Sequence, residues 1–160
     1  MIELGSILCG DYENENLKQF PFLGSYFNFN PKEGYRLIDE GVKLVEAAAA
    51  EGKGKPLSYR WYSQAWGAYH HDTHKLVNSG ERGFSYHMMA DTSAGQGNLK
   101  KAYLKKIEYA EKALDALKKG NIETYVGDDV DEFIKLYEEK AVKNAHFELK
   151  TFIDGGVLPA

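Results

Sequence analysis

The chain has 160 residues, the length of a single domain, and its apolar fraction of 43% is enough to fill a core. A formal net charge of -4 argues against a nucleic-acid-binding protein, because such proteins present a basic surface to phosphates. The single cysteine, Cys9, excludes a disulfide within the chain, and no apolar run predicts a transmembrane helix. Residues 1–10 lack the features of a secretory signal, so we expect a soluble protein whose compartment stays open.

The first thirty residues show no clear helical period and are rich in aromatic side chains. Pro21, Gly24 and Pro31 interrupt this stretch, and only residues 11–19 have the pattern of a short capped helix. We therefore predict an extended aromatic N-terminal arm over residues 1–30, followed by a helical bundle domain over residues 31–160.

Two strong helices are predicted in the first half of that domain. The first spans residues 31–51, with Asn30 as its cap and an apolar face that includes Ile38 and Val42. The second spans residues 58–77 and has a stripe of aromatic residues that includes Tyr62 and Trp66. After it, residues 81–97 are ambiguous: 84–91 could be a short helix, whereas the Gly-rich stretch 91–97 favours a loop.

The second half of the domain predicts two further helices, over residues 98–119 and 129–152. Four helices of about twenty residues with mostly short connections predict an all-α, antiparallel four-helix bundle. The helix over 98–119 carries seven lysines against three acids, and the segment 128–152 carries seven acids against four lysines. Either these opposite charges attract one another, or the basic face docks on an acidic partner or on lipid headgroups.

A histidine cluster is the most suggestive candidate for chemistry. His70 and His74 are four residues apart and share one helix face, and His87 with Asp91 would do the same if their segment is helical. Imidazole and carboxylate ligands suit zinc or iron, so these four residues form a candidate metal site. The competing interpretation is that the histidines occupy the polar end of an aromatic helix without binding a metal.

The aromatic arm is the second candidate site. Aromatic residues are enriched and charges are depleted in the cores of protein interfaces. The predicted partner-binding side chains are Phe20, Phe22, Tyr26, Phe27 and Phe29.

No stretch matches a catalytic or cofactor motif, which favours a non-catalytic role. We expect a helical accessory or structural subunit that binds a larger protein assembly, such as a respiratory or photosynthetic complex, through its arm. The alternative is a metal- or small-ligand-binding helical protein with its site between the second helix and residues 84–91. A small acidic inhibitor, supported by net charge alone, is a third possibility.

Overall fold

The computed structural model describes residues 1–9, 31–79, 93–123 and 130–160. Within these ranges the chain forms five helices and no strand, which confirms the all-α prediction. None of the described helices is long and apolar enough to cross a membrane.

The first four helices are α1 (Ile2–Leu8), α2 (Pro31–Ala50), α3 (Tyr59–Ser79) and α4 (Ser93–Lys118). The fifth, α5, is continuous but changes its winding along its length. It begins as an α-helix (Val130–Leu136), passes through a π-helical stretch (Tyr137–Lys143) and ends as an α-helix (Asn144–Asp154).

The chain divides into two compact units, Met1–Leu57 and Ser58–Ala160. The first contains α1 and α2, and the second contains α3, α4 and α5. The predicted four-helix bundle is therefore not confirmed, because its first helix belongs to a different unit from the other three. The predicted division after residue 30 stays a prediction, since residues 10–30 lie outside the described part of the chain.

In the first unit, α1 runs antiparallel to α2 with their backbones in near contact. A Cβ added to Gly5 would lie 2.5 Å from the carbonyl oxygen of Gly34, and one added to Gly34 would lie 2.6 Å from Cys9 Sγ. Further along α2, a Cβ on Gly41 would lie 3.2 Å from the Ile2 side chain. Real Cβ atoms essentially never come within 3.0 Å of such an atom, so Gly5 and Gly34 set the spacing of the two helices.

The helical state of residues 2–8 corrects part of the predicted arm, which was expected to be extended. This stretch is too short to hold a helix alone in water, and docking on α2 supplies the missing stability. Ile2 on its docked side is 6% exposed, and Cys9, directly after the helix, is buried. On α2, the predicted apolar face is confirmed at its centre, where Ile38 and Val42 are fully buried.

In the second unit, α3 and α4 are antiparallel neighbours. The rings of Tyr69 and Tyr109 have centroids 5.9 Å apart, and near the other end of the pair Tyr59 N–H donates to the carbonyl oxygen of Asn121 at 2.8 Å. The fully buried residues of α4 recur at helical spacing and form the centre of the unit: Leu99, Ala102, Tyr103, Tyr109, Ala110, Ala113 and Leu117.

Helix α5 lies antiparallel to α4, as the bundle prediction required for this pair. Tyr103 in the first half of α4 donates to Glu148 near the end of α5, and Lys118 at the end of α4 forms a 3.1 Å ion pair with Glu138. The Lys118–Glu138 pair has the predicted sign, a basic α4 against an acidic α5. It is half exposed, so its contribution is on the order of 1 kcal/mol or less.

The π-helical stretch of α5 keeps its buried residues on one side of the helix. The backbone N–H of Asn144 donates to the carbonyl oxygen of Glu139, five residues earlier. The buried residues recur in steps of four, at Tyr137, Ala141, Ala145 and Leu149. In an α-helix each step of four drifts by about 40°, which would carry this row around the helix. The wider π turns offset that drift and keep the row facing the core.

Helix α4 begins at Ser93, five residues before its predicted start, so the predicted loop over 91–97 is wrong for its last five residues. Gly95 and Gly97 cost roughly 1 kcal/mol each in a helix relative to Ala. Burial of Gly95 and of Leu99 one turn later supplies compensating packing, which the local sequence does not reveal.

Candidate functional site

Of the four residues of the predicted metal site, the structure describes the side chain of one, His70. His70 lies on α3 and stacks on the Trp66 ring, with centroids 4.7 Å apart and planes 13° from parallel. Its Nδ1 is shielded from solvent. The side chain of His74 and all of His87 and Asp91 fall outside the described residues. Among the side chains that the structure does describe, no group of three potential ligands is close enough to hold a metal, so the site stays a prediction.

The stacked pair belongs to a cluster that joins α3 to the π-helical stretch. Tyr137, the first residue of that stretch, shares a 2.7 Å hydrogen bond with Ser63 through its hydroxyl. Its ring meets Tyr59 edge-on at 5.5 Å and Trp66 at 5.6 Å. Burial raises the pKa of Tyr137 above its usual range, and Tyr59 adds to this effect. The phenol therefore stays protonated and acts as a hydrogen-bonding anchor between the two helices.

A second polar cluster surrounds Lys106 in the interior of the same unit. Lys106 is only 3% exposed, and its Nζ donates to Thr73 Oγ1 at 3.2 Å. Thr73 in turn donates to the carbonyl oxygen of Tyr69 at 2.8 Å. The ammonium also lies 5.1 Å from the centroid of the Tyr103 ring, a cation–π distance. Tyr103 completes the cluster by donating from its hydroxyl to Glu148 Oε2 at 3.2 Å. The cluster therefore joins side chains from three helices.

The electrostatics of this cluster follow from its burial. Desolvation lowers the pKa of Lys106 to about 8, although the nearby Glu148 carboxylate favours the charged form. Desolvation and the same carboxylate raise the pKa of Tyr103, so its hydroxyl stays a donor. At pH 7 about one Lys106 amine in ten is neutral, far more than for an ordinary lysine. A buried amine of this kind is a potential nucleophile, and it also makes stability depend on pH.

The Lys106 cluster is a functional candidate that the sequence reasoning missed. From the sequence alone, Lys106 is one of the seven lysines of the helix over 98–119. Its neighbours at helical spacing are Ala102, Tyr109 and Ala113, all of which are buried. That pattern, a lysine inside an apolar row at steps of three and four, is the signal that could have identified it.

The predicted partner-binding aromatic residues lie within residues 10–30 and are outside the described residues. The residues that flank them are described. Cys9 ends the N-terminal stretch and lies against Gly34, in the first turn of α2. The twenty-one residues between Cys9 and Pro31 are therefore tied at both ends to one helix pair. The predicted aromatic arm is not confirmed, because residues 10–30 lie outside the described part of the chain.

No protein-family model matches the chain, and no curated protein or solved structure is detectably similar to it.

Proposed function

We propose that this protein is a non-catalytic helical subunit that binds another protein through the aromatic segment of residues 10–30. The binding side chains would be Phe20, Phe22, Tyr26, Phe27 and Phe29. We also propose that the predicted four-helix bundle carries this segment. The partner would be a component of a larger assembly, with a respiratory or photosynthetic complex as one example.

The observation that carries the proposal is the anchoring of this segment at both ends. Contact of Cys9 with Gly34 brings the start of the segment next to its end at Pro31. A closed segment loses less conformational entropy on binding than a free arm of the same length. Five aromatic residues on such a base suit an interface core.

A matched pair of variants tests the proposal in the full chain. The triple variant Phe22→Ser, Phe27→Ser, Phe29→Ser removes aromatic anchors and leaves the glycine-packed base intact. The control is Leu44→Ser on α2, which removes an apolar side chain of the same unit that is 57% exposed. Each tagged protein is expressed in the native source, and the proteins that purify with it are identified and quantified.

We expect one partner to purify with the wild type and the Leu44→Ser control and to be lost from the triple variant. Circular dichroism should show equal helical content in all three proteins. A partner that remains bound to the triple variant would contradict the proposal. So would a partner that the control loses to the same extent.

The metal-binding alternative is supported by the position of His70 at the edge of a buried aromatic cluster, where Trp66 holds its ring in one orientation. Residues His74, His87 and Asp91 would complete the site, with zinc or iron as the ion. Elemental analysis of the purified protein tests it, with the double variant His70→Ala, His74→Ala as control. A metal present at about one equivalent in the wild type and absent from the variant would favour this function over the first.

A further inference from the structure

The outward side of α5 carries a regular row of exposed residues. It consists of Asp131, Lys135, Glu139, Lys143 and Phe147, at steps of four. Over residues 135–147, each member lies two positions before a residue of the buried row that starts at Tyr137. Two positions are a little over half a turn, so the outward row lies opposite the core. The π-helical stretch that aligns the buried row aligns this one as well.

This row contains an aromatic side chain that is largely exposed to solvent. Phe147 is 72% exposed, and Leu136 beside Lys135 is 50% exposed. Isolated exposed apolar residues are ordinary, but aromatic residues, phenylalanine included, are enriched in protein interfaces relative to the rest of the surface. Asp131, Lys135, Glu139 and Lys143 form no ion pair with any residue in the described ranges. Their charges are therefore available to another molecule.

The order of charges along the row determines which partner fits. From Asp131 to Lys143 the signs alternate, negative, positive, negative, positive, and Phe147 follows. If a second copy of α5 were laid alongside in the parallel sense, each charge would face its own equivalent. If the second copy ran antiparallel about a two-fold axis near Ala141, Glu139 would face Lys143 of the partner subunit, and the same contact would recur by symmetry.

The same register also gives Phe147 a contact on the partner subunit. It places Phe147 opposite Lys135 of the partner subunit, where a ring can meet an ammonium and its aliphatic stem. Leu136 of the partner subunit lies next to that position and adds apolar surface. An antiparallel register about residue 137 would also match charges, but it would leave Phe147 beyond the partner helix, which begins at Val130.

We propose that the outward row of α5 is a homodimer interface, in which two copies of the chain pair antiparallel about a two-fold axis near Ala141. One helix face per subunit gives a contact in the smallest size class of specific interfaces, below about 1,200 Å². The dimer should therefore be weak and concentration-dependent. High salt should weaken it further, because its ion pairs lie at the surface.

Sedimentation equilibrium of the full chain over a range of concentrations measures the association constant directly. We expect a reversible monomer–dimer equilibrium. Phe147→Ser should weaken the association at least about tenfold, as expected for loss of an interface anchor. The matched control is Leu104→Ser, an apolar residue on α4 that is 51% exposed and lies outside the row. It should leave the association constant unchanged.

A charge exchange tests the register. Lys143→Glu alone should weaken the dimer, since it would place two carboxylates opposite each other at both symmetric contacts. The double variant Glu139→Lys, Lys143→Glu should restore it, because both partners have exchanged signs. About an axis near residue 137 the double variant would instead repel at every contact, so failure to restore rejects the proposed register.

Other outcomes would overturn the proposal itself. These are a wild-type chain that stays monomeric at all concentrations, and a dimer that Phe147→Ser does not weaken. Equal weakening by Leu104→Ser would also do so. All substituted residues are exposed, and thermal unfolding of each variant at a concentration where it is monomeric separates association from folding. If the chain is monomeric and Phe147→Ser instead reduces binding of a different protein, the row serves another partner and the homodimer is rejected.

Discussion

Replacing the buried Lys106 with methionine should stabilise the protein at neutral pH. Methionine is similar in length and flexible enough to fill the same space, and it has no charge to desolvate. Thr73 keeps its hydrogen bond to the carbonyl oxygen of Tyr69, and Tyr103 keeps its bond to Glu148. The substitution therefore removes a buried ammonium and leaves its neighbours hydrogen-bonded.

The magnitude follows from the lowered pKa of Lys106. In the folded protein its pKa is about 8, whereas in an unfolded chain it is about 10.4. Below pH 8 both states hold the proton, and the full penalty of charge burial is present. Between pH 8 and 10.4 the unfolded chain holds more protons than the folded protein, so the free energy of unfolding rises with pH. Between pH 8 and 10.4 the free energy of unfolding therefore rises by about 3 kcal/mol at most.

Urea denaturation followed by circular dichroism at pH 7, 8, 9 and 10 measures this effect. We expect the Lys106→Met variant to be more stable than the wild type by about 1–3 kcal/mol at pH 7. The difference should shrink as the pH rises to 10, because only the wild type gains stability when Lys106 loses its proton. A control, Lys101→Met on the exposed side of α4, should change the free energy of unfolding by less than about 0.5 kcal/mol at pH 7.

Two results would refute this reasoning. One is a wild-type stability that is constant or falls relative to the variant between pH 8 and 10. The other is a Lys106→Met protein that is less stable than the wild type at pH 7, which would mean that the Thr73 bond and the Tyr103 ring outweigh the desolvation of the ammonium.

Further predictions concern backbone packing and the Tyr137 cluster. Gly34→Ala should lower stability by about 1–3 kcal/mol, because its Cβ would meet the backbone of Gly5. Gly67→Ala on α3 should raise stability by about 0.5–1 kcal/mol, because nothing lies within 4 Å of its added Cβ; thermal unfolding of both variants checks the contrast. Tyr137→Phe should cost about 1 kcal/mol by removing the hydrogen bond to Ser63, measured by urea denaturation. A stable Gly34→Ala protein, or a neutral Tyr137→Phe substitution, would count against the corresponding contact.

The helices were predictable because their signals are local. Pro31 at a first turn, Gly52 after a last turn and apolar rows at helical spacing locate α2 and α3 to within a few residues. Helix α1 was not predictable, because a seven-residue helix depends on docking against Gly34 and Gly41, which are distant in sequence. The allocation of α2 to a separate unit is a tertiary property that no periodicity encodes.

The candidate sites were predictable to a smaller degree. Histidine spacing could indicate a metal site on α3, but not whether its ligands meet. Lys106 is hard to single out because five other lysines lie on the same helix, and only its register with Ala102 and Ala113 distinguishes it. The π-helical stretch was not predicted. Its only sign in the sequence is that the apolar residues of this helix recur in steps of four, instead of the alternating steps of three and four of an α-helix.

Hydrogen exchange of the intact wild-type chain tests most directly the claim that α1 docks on α2 and holds residues 10–30 at both ends. A seven-residue helix has no protection of its own in water, so slow exchange within residues 2–9 requires docking. We expect the amides of Gly5 and Cys9, which donate to carbonyl oxygens one turn earlier, to exchange much more slowly than an unstructured chain. Complete exchange of residues 2–9 at the earliest time point would show that the N-terminus is a free arm, and the closed aromatic segment would then be wrong.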